Sequence, residues 1–273
     1  MRSARCTLKS CVLLILFLGF SSAGRPQTTS GPGTAAFGNI PLGLERNVGQ
    51  TNGDVQFLSR GQGYTLFLTS TEAVFVLNPT NFQPLVRTAG FAGNRLNLQE
   101  MLKQRKLAIP PAVVRMKLVG ANLTPNAAGV GKLPGTVNYF IGKDPTKWRS
   151  NVPTYSRVQY TGVYPNVDLV YYGNQRQLEY DFVVAPGGDP RKVAFGFEGA
   201  DNLSVDPSGD LVMSTKVGQL RLKKPAIYQM ENGSRKPIDG GFEPRTPNTI
   251  GLTIKSYDRT KPLVIDPVLT YST

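Results

Sequence analysis

The chain has 273 residues, with 31 lysines and arginines against 18 aspartates and glutamates, two cysteines and no histidine. Both cysteines, Cys6 and Cys11, fall in the first two dozen residues. The remainder therefore has no thiolate nucleophile, no imidazole base, no Cys/His zinc site and no disulfide.

Residues 1–24 read as a secretory signal peptide. Arg2, Arg5 and Lys9 give a positive start, and residues 12–20 (VLLILFLGF) form a short apolar run. Ser21-Ser22-Ala23-Gly24 supply the small side chains of a cleavage point near Ala23 and Gly24. The apolar run is shorter than the roughly 20 residues that span a bilayer, and Cys11 follows no lipobox-like run. The expectation is an exported protein, secreted or held at the cell surface or in the periplasm, with no transmembrane helix after signal removal.

Loss of Arg2, Arg5 and Lys9 leaves 28 basic residues against 18 acidic ones, a balance of +10. Such a charge suits polyanions. Yet no block of five like charges occurs, and the densest spot, Arg221-Leu222-Lys223-Lys224, alternates like a strand. The charges read as scattered solvent faces, and export argues against nucleic acid as a partner.

Residues 25–38 (RPQTTSGPGTAAFG) have the composition of a flexible leader. From residue 39 the chain is dense in short strand signals. Residues 55–59 and 64–70 flank Arg60-Gly61-Gln62-Gly63, a hairpin turn by composition, and residues 72–77 (EAVFVL) follow. Val114, Met116 and Leu118 alternate with Arg115 and Lys117. Leu178, Tyr180, Phe182 and Val184 alternate with Gln177, Glu179, Asp181 and Val183. Val193, Phe195 and Phe197 repeat that spacing, as do Leu220 and Leu222, and Ile250, Leu252 and Ile254. Turn residues punctuate the runs at 185–190, 206–210 and 231–234, where Asn232-Gly233 is a two-residue hairpin signal. Residues 97–106 (NLQEMLKQRK) break the pattern with helix formers, stopped by Pro110-Pro111. The expected fold is all-β: an antiparallel β-sandwich over residues 39–273, as one large or two small double-sheet units, with at most one short helix near 97–106.

A longer signature runs from Leu133 to Gly187. It includes LPGTVNYFIG (133–142), Asp144-Pro145, Trp148, VYPNVDLVYYG (163–173) and QLEYDFVVAPG (177–187). With LERNVGQT (44–51) and the closing PLVIDPVLTYST (262–273), it resembles the N-terminal domain of bacterial secreted proteins that carry SBBP-type β-propeller repeats. The resemblance covers nearly all of residues 40–273. It implies a module that precedes propeller blades absent from this chain, and it brings no assigned activity or catalytic residue. Residues 98–112 look like a variable insertion relative to that family.

Candidate chemistry is sparse. Glu179 and Asp181, two apart on one strand, project from one face, where two carboxylates can serve glycoside hydrolysis. The plainer reading is a solvated strand surface or partners for Arg176 or Lys192. Six of the eleven tyrosines lie between 155 and 180, with Trp148 nearby. Exposed rings would make a carbohydrate platform, with Trp148, Tyr171 and Tyr172 as candidates; buried rings would fill the core. Tyr171 and Tyr172 point to opposite faces of a strand, so at most one can join a given surface. Asp201, Asp206 and Asp210 give a loose acidic spacing more typical of turns than of a calcium loop. Gly61-Gln62-Gly63 lacks the remaining parts of a nucleotide loop. Asn122, Asn202 and Asn232 head formal glycosylation sequons. No cofactor and no metal is expected. The function expected is a non-catalytic surface module, structural or binding an extracellular glycan or protein. The rivals are a carboxylate-based carbohydrate-active enzyme using Glu179 and Asp181, and a pure structural spacer.

Overall fold

The computed structural model describes residues 42–61, 63–79, 109–174 and 177–272. The signal segment, the leader and the 97–106 helix lie outside the described residues. Alternation of apolar and polar residues sets the local structure. On the strand from 177 to 184, Leu178, Tyr180, Phe182 and Val184 are 0–1% exposed, and Glu179, Asp181 and Val183 are half-buried. Val114, Met116 and Leu118, and likewise Leu220 and Leu222, turn inward as their spacing requires.

The strands are β1 (Leu44–Arg46), β2 (Phe57–Gly61), β3 (Tyr64–Leu68), β4 (Glu72–Leu77), β5 (Ala112–Leu118) and β6 (Asn126–Tyr139). Next come β7 (Arg149–Tyr164), β8 (Val167–Asn174), β9 (Gln177–Val184), β10 (Ala194–Glu198), β11 (Asn202–Val205) and β12 (Leu211–Thr215). The chain continues through β13 (Gly218–Leu222), β14 (Ala226–Glu231), β15 (Ser234–Pro237) and β16 (Gly240–Thr246). It closes with β17 (Thr249–Ile254), β18 (Leu263–Asp266) and β19 (Val268–Ser272). Two single-turn 3₁₀ segments, Pro145–Lys147 and Pro190–Lys192, are each capped by the preceding aspartate. Asn232 and Gly233 join β14 to β15 with φ of 51° and 79°, the paired positive angles that an Asn-Gly hairpin turn supplies. Among the described residues no helix is long and apolar enough to cross a membrane.

All-β is the class observed, but the expected pair of separate sandwich sheets is not what the hydrogen bonds build. They join the strands into one antiparallel sheet. One run orders fifteen strands as β16–β17–β10–β5–β4–β3–β2–β1–β7–β8–β9–β19–β13–β12–β11. Its ends, β16 and β11, come within 8 Å of each other between Cα atoms, so the sheet nearly closes like a barrel.

The physical reason is the length of β7. Tyr155 lies between Lys132 of β6 and Leu44 of β1, and Arg157 lies between Val130 of β6 and Tyr172 of β8. One edge of β7 thus carries β6, and the other carries β1 and then β8. This shared strand joins what would otherwise be two sheets. A second fork lies at β9. Val184 faces Leu263 of β18 and Leu178 faces Leu269 of β19 in one unbroken register. That register sets Asp266 opposite Asp181 and Pro267 opposite Tyr180. Pro267 has no N–H to give the ladder, and the strand is interrupted there.

The inner faces share one core. Its centre is a run of aromatic rings. Tyr171 meets Tyr180 at 5.6 Å, Tyr180 meets Phe182 at 6.0 Å, and Phe195 meets Phe182 at 5.7 Å. Burial of this area is the main stabilising contribution in a domain that has no covalent staple. Outside the core, β6 is mostly exposed along its 14 residues. Gly129, Gly131, Lys132, Pro134 and Gly135 interrupt it, and the register against β7 shifts between Lys132 and Thr136. Lysine, proline and irregularity on an outlying strand discourage pairing with another chain.

Candidate functional site

Two places gather the residues that the sequence singles out. The first is the outer face of β8, β9 and β18. Glu179 stands beside Tyr172 and Val268 in register, and Asp181 stands beside Val170. The Tyr172 hydroxyl donates to Asp181 Oδ1 at 3.0 Å. Across the other edge, Asp266 approaches Arg235 of β15, whose Nη1 lies 3.8 Å from Oδ2. Arg235 rests on the Tyr228 ring, 4.2 Å from its centroid.

Two carboxyls set opposite each other cannot both ionise at little cost. Desolvation, then the Asp266 charge, pushes Asp181 up to about 6, with Glu179 adding to the rise. The Tyr172 hydroxyl and Arg235 oppose it. Desolvation and then Glu179 also raise Asp266, against Arg235 and a hydrogen bond with Asp181. Asp266 Oδ1 is buried and has no hydrogen-bond partner among the described residues. Opposite each other in register, Asp181 and Asp266 both hold a proton to higher pH than a free carboxyl does. Tyr172, raised by desolvation and the nearby carboxylates, stays a donor throughout.

A pH effect on stability follows, with a definite sign. Asp181 takes up its proton more readily when folded, with an upward shift from 3.8 to about 6. Its contribution is most favourable below the unfolded value and is lost as pH rises through about 6. A two-unit shift corresponds to about 3 kcal/mol, which partial solvent exposure reduces to about 1 kcal/mol. Asp181→Asn keeps an acceptor for Tyr172 and removes the charge that stands opposite Asp266. It is expected to stabilise the protein by about 1 kcal/mol at pH 7.5 and to confer little at pH 4. Urea melts of both proteins at the two pH values check this; a destabilised variant at pH 7.5 would remove the account of a raised Asp181.

The second place is the end of the β6–β7 hairpin. Residues 140–148 are all exposed. Phe140 is 63% exposed, Ile141 71% and Trp148 39%. The Phe140 and Trp148 rings meet edge to face, 5.4 Å apart at 74°. Both ends of this segment are braced. Tyr139, just before it, donates its hydroxyl to the buried Glu45 carboxylate of β1, which also accepts from Arg60 Nη1 at 2.5 Å. Arg60 Nη1 lies 2.6 Å from the Tyr139 oxygen as well. Desolvation pushes the Tyr139 hydroxyl up to about 12, so it remains the donor. Arg149, just after the segment, reaches Val48 O at 3.1 Å and Thr146 O at 3.0 Å. An apolar end is thus held away from the core by polar clamps at its base.

The other candidates divide as follows. Tyr171 is 3% exposed and belongs to the core, so it makes no surface contact; its strand parity turns it inward while Tyr172 turns out. Tyr160, Tyr164 and Tyr180 are buried with it, which makes most of the tyrosine cluster core. Trp148 and Tyr172 lie at the two different places described, so no common platform forms from them. Asp206 Oδ1 accepts from the Ser208 and Asp210 N–H groups at 2.9 and 3.1 Å, and its other oxygen pairs with Arg221. Asp210 binds Lys224 N at 2.8 Å, Lys223 Nζ at 3.0 Å and Arg221 Nη1 at 3.1 Å. These carboxylates are turn and ion-pair groups. Among the described residues no three His, Cys, Asp or Glu side chains are grouped to hold a metal ion. The Asn122 amide nitrogen is engaged with Gly162 O at 3.2 Å. Ala23 and Gly24 lie outside the described residues.

Sequence reasoning missed Asp266, Arg235, Phe140 and Ile141 as site residues. Asp266-Pro267 inside an apolar run was a signal of sorts, since a charge and a proline both disturb a strand. Nothing local links Asp266 to Asp181. Phe140 and Ile141 stood out only as part of the 133–142 signature, and their exposure follows from where the hairpin turns.

Fold and sites together define an all-β domain with a buried aromatic core and an apolar hairpin end. The chain matches a family described as a domain of unknown function (DUF7948) over residues 44–268 and belongs to that family. No curated protein and no solved structure matches it.

Proposed function

We propose that the chain is an exported, non-catalytic surface module that engages an extracellular partner through the 140–148 hairpin end. The observation that carries this reading is the exposure of Phe140, Ile141 and Trp148 on a clamped projection. Exposed apolar groups gathered at one spot mark a contact surface more often than single exposed residues do. The signal-like residues 1–24 support export. The resemblance to SBBP-type proteins supports a place ahead of propeller blades, where such a module would add contact area.

An enzyme draws some support from Asp181, whose value near 6 would suit a general acid. Glycoside hydrolysis, however, needs its two carboxyls roughly 5–10 Å apart across a substrate. Asp181 instead turns to Asp266 and Tyr172. The clefts around Asp189 and Arg259, Gln229 and Lys261, and Lys224 and Gly240 are lined by other residues than Glu179 and Asp181. A pure spacer gains nothing from an apolar end in water, and β19 is an interior strand between β9 and β13.

Trp148→Ala separates these readings. It is expected to weaken partner binding at least about tenfold, as loss of a central aromatic contact does, with an unchanged melting temperature. Binding to polysaccharide and cell-surface fractions is measured by calorimetry alongside hydrolysis of the same substrates. Wild-type affinity in Trp148→Ala, or hydrolysis lost in Asp181→Asn, would overturn the proposal.

A further inference from the structure

We propose that the 140–148 hairpin end docks into the headgroup layer of an anionic lipid bilayer. The inference rests on the reading that this end is the contact surface, and it names the partner.

The chemistry of the segment favours lipid over the alternatives. The Phe140 ring stands edge to face against the Trp148 indole, and Ile141, next in the chain, is exposed beside this wedge in sequence. A broad sugar platform needs coplanar ring faces, and these two rings stand at 74° to each other. Lys143 and Lys147 flank the wedge; both are exposed, and neither has an acidic partner among the described residues. Asp144 is the sole acid between 140 and 149, and it is spent on capping. Its Oδ1 accepts from Thr146 N at 3.0 Å and Thr146 Oγ1 at 2.7 Å. Lysine is depleted where proteins bind proteins. Beside tryptophan and phenylalanine it suits a membrane interface, where the rings sit at headgroup depth and the ammonium groups reach anionic lipid.

The backbone is equipped for a less polar setting. Lys147 N donates to Asp144 O at 3.2 Å and Trp148 N to Pro145 O at 3.1 Å, so the turn satisfies part of its own polarity. The segment is short, which limits it to shallow insertion. The clamps at Tyr139 and Arg149 fix its shape, so less ordering is needed on contact.

Trp148 is the single tryptophan of the chain, so its emission reports this site alone. Purified protein is titrated with vesicles of phosphatidylcholine containing about a third phosphatidylglycerol, a fraction chosen for a clearly negative surface, and with phosphatidylcholine alone. The expected result is a blue shift with the anionic vesicles, weakened by salt and at least about tenfold weaker for Ile141→Asp or for Lys143→Glu with Lys147→Glu. Both substitutions lie on exposed positions and leave the reporter in place, and circular dichroism checks their folding. No shift with vesicles overturns the inference. A shift with soluble polysaccharide or a protein partner, and none with vesicles, overturns it while leaving the binding-module reading intact. A tryptophan already shielded in a dimer, shown by sedimentation before lipid is added, also overturns it in favour of a second copy.

Discussion

Phe195→Ala is expected to cost about 3–5 kcal/mol of folding stability, the range for removing a fully buried phenylalanine. The ring is 1% exposed. It contacts Phe182 at 5.7 Å, Phe197 at 6.2 Å and Tyr180 at 6.4 Å. These neighbours sit on β9 and β10. The backbone is paired on both sides at Phe182, by β8 and β18, and at Phe195, by β5 and β17. The cavity therefore cannot close by local movement, and the loss falls toward the upper end. Phe140→Ala, on the exposed hairpin end, should change stability by no more than about 0.5 kcal/mol. Urea denaturation of the two variants measures both. A loss under about 1 kcal/mol at position 195 would contradict a single core centred on these rings.

Gly199→Ala should be nearly as damaging, at about 2–3 kcal/mol, the combined effect of a left-handed backbone and a steric overlap. Gly199 has φ of +85°, and a Cβ there would fall 2.0 Å from the Val113 carbonyl oxygen. That oxygen is backbone, on the strand that pairs β10, and cannot turn aside. Relief would require β10 to part from β5 just where Phe195 and Phe197 enter the core. Gly233→Ala is the control: it shares a positive φ of +79° but meets nothing within 4 Å. The difference between the two melts isolates the overlap from the backbone strain. Equal losses would show that the close approach of Val113 contributes nothing.

Strand identity followed from period-two alternation because that pattern is local. The stretches at 72–77 and 177–184 coincide with β4 and β9, and Asn232-Gly233 makes its expected turn. The 126–164 hairpin was harder to see. Gly129, Gly131, Pro134, Gly135 and Pro153 lower strand propensity, yet β6 tolerates such residues because it is exposed and irregular against β7. The carboxylate site was half legible. Glu179 and Asp181 share a face by parity alone, but the carboxylate opposite Asp181 stands 85 positions further on, brought there by the β9–β18 register.

By itself the sequence determined the all-β class, the inward residues of most strands, the turn chemistry and the absence of histidine and cysteine chemistry beyond residue 24. These depend on neighbours within a few positions. Tertiary structure alone decided that one sheet forks and nearly closes, that Asp181 stands opposite Asp266, that Tyr171 is core, and that Phe140, Ile141 and Trp148 share an exposed end. Each of those depends on which distant strands pair and in what register. Hydrogen bonding between backbones sets that register, and backbones look alike from one residue to the next.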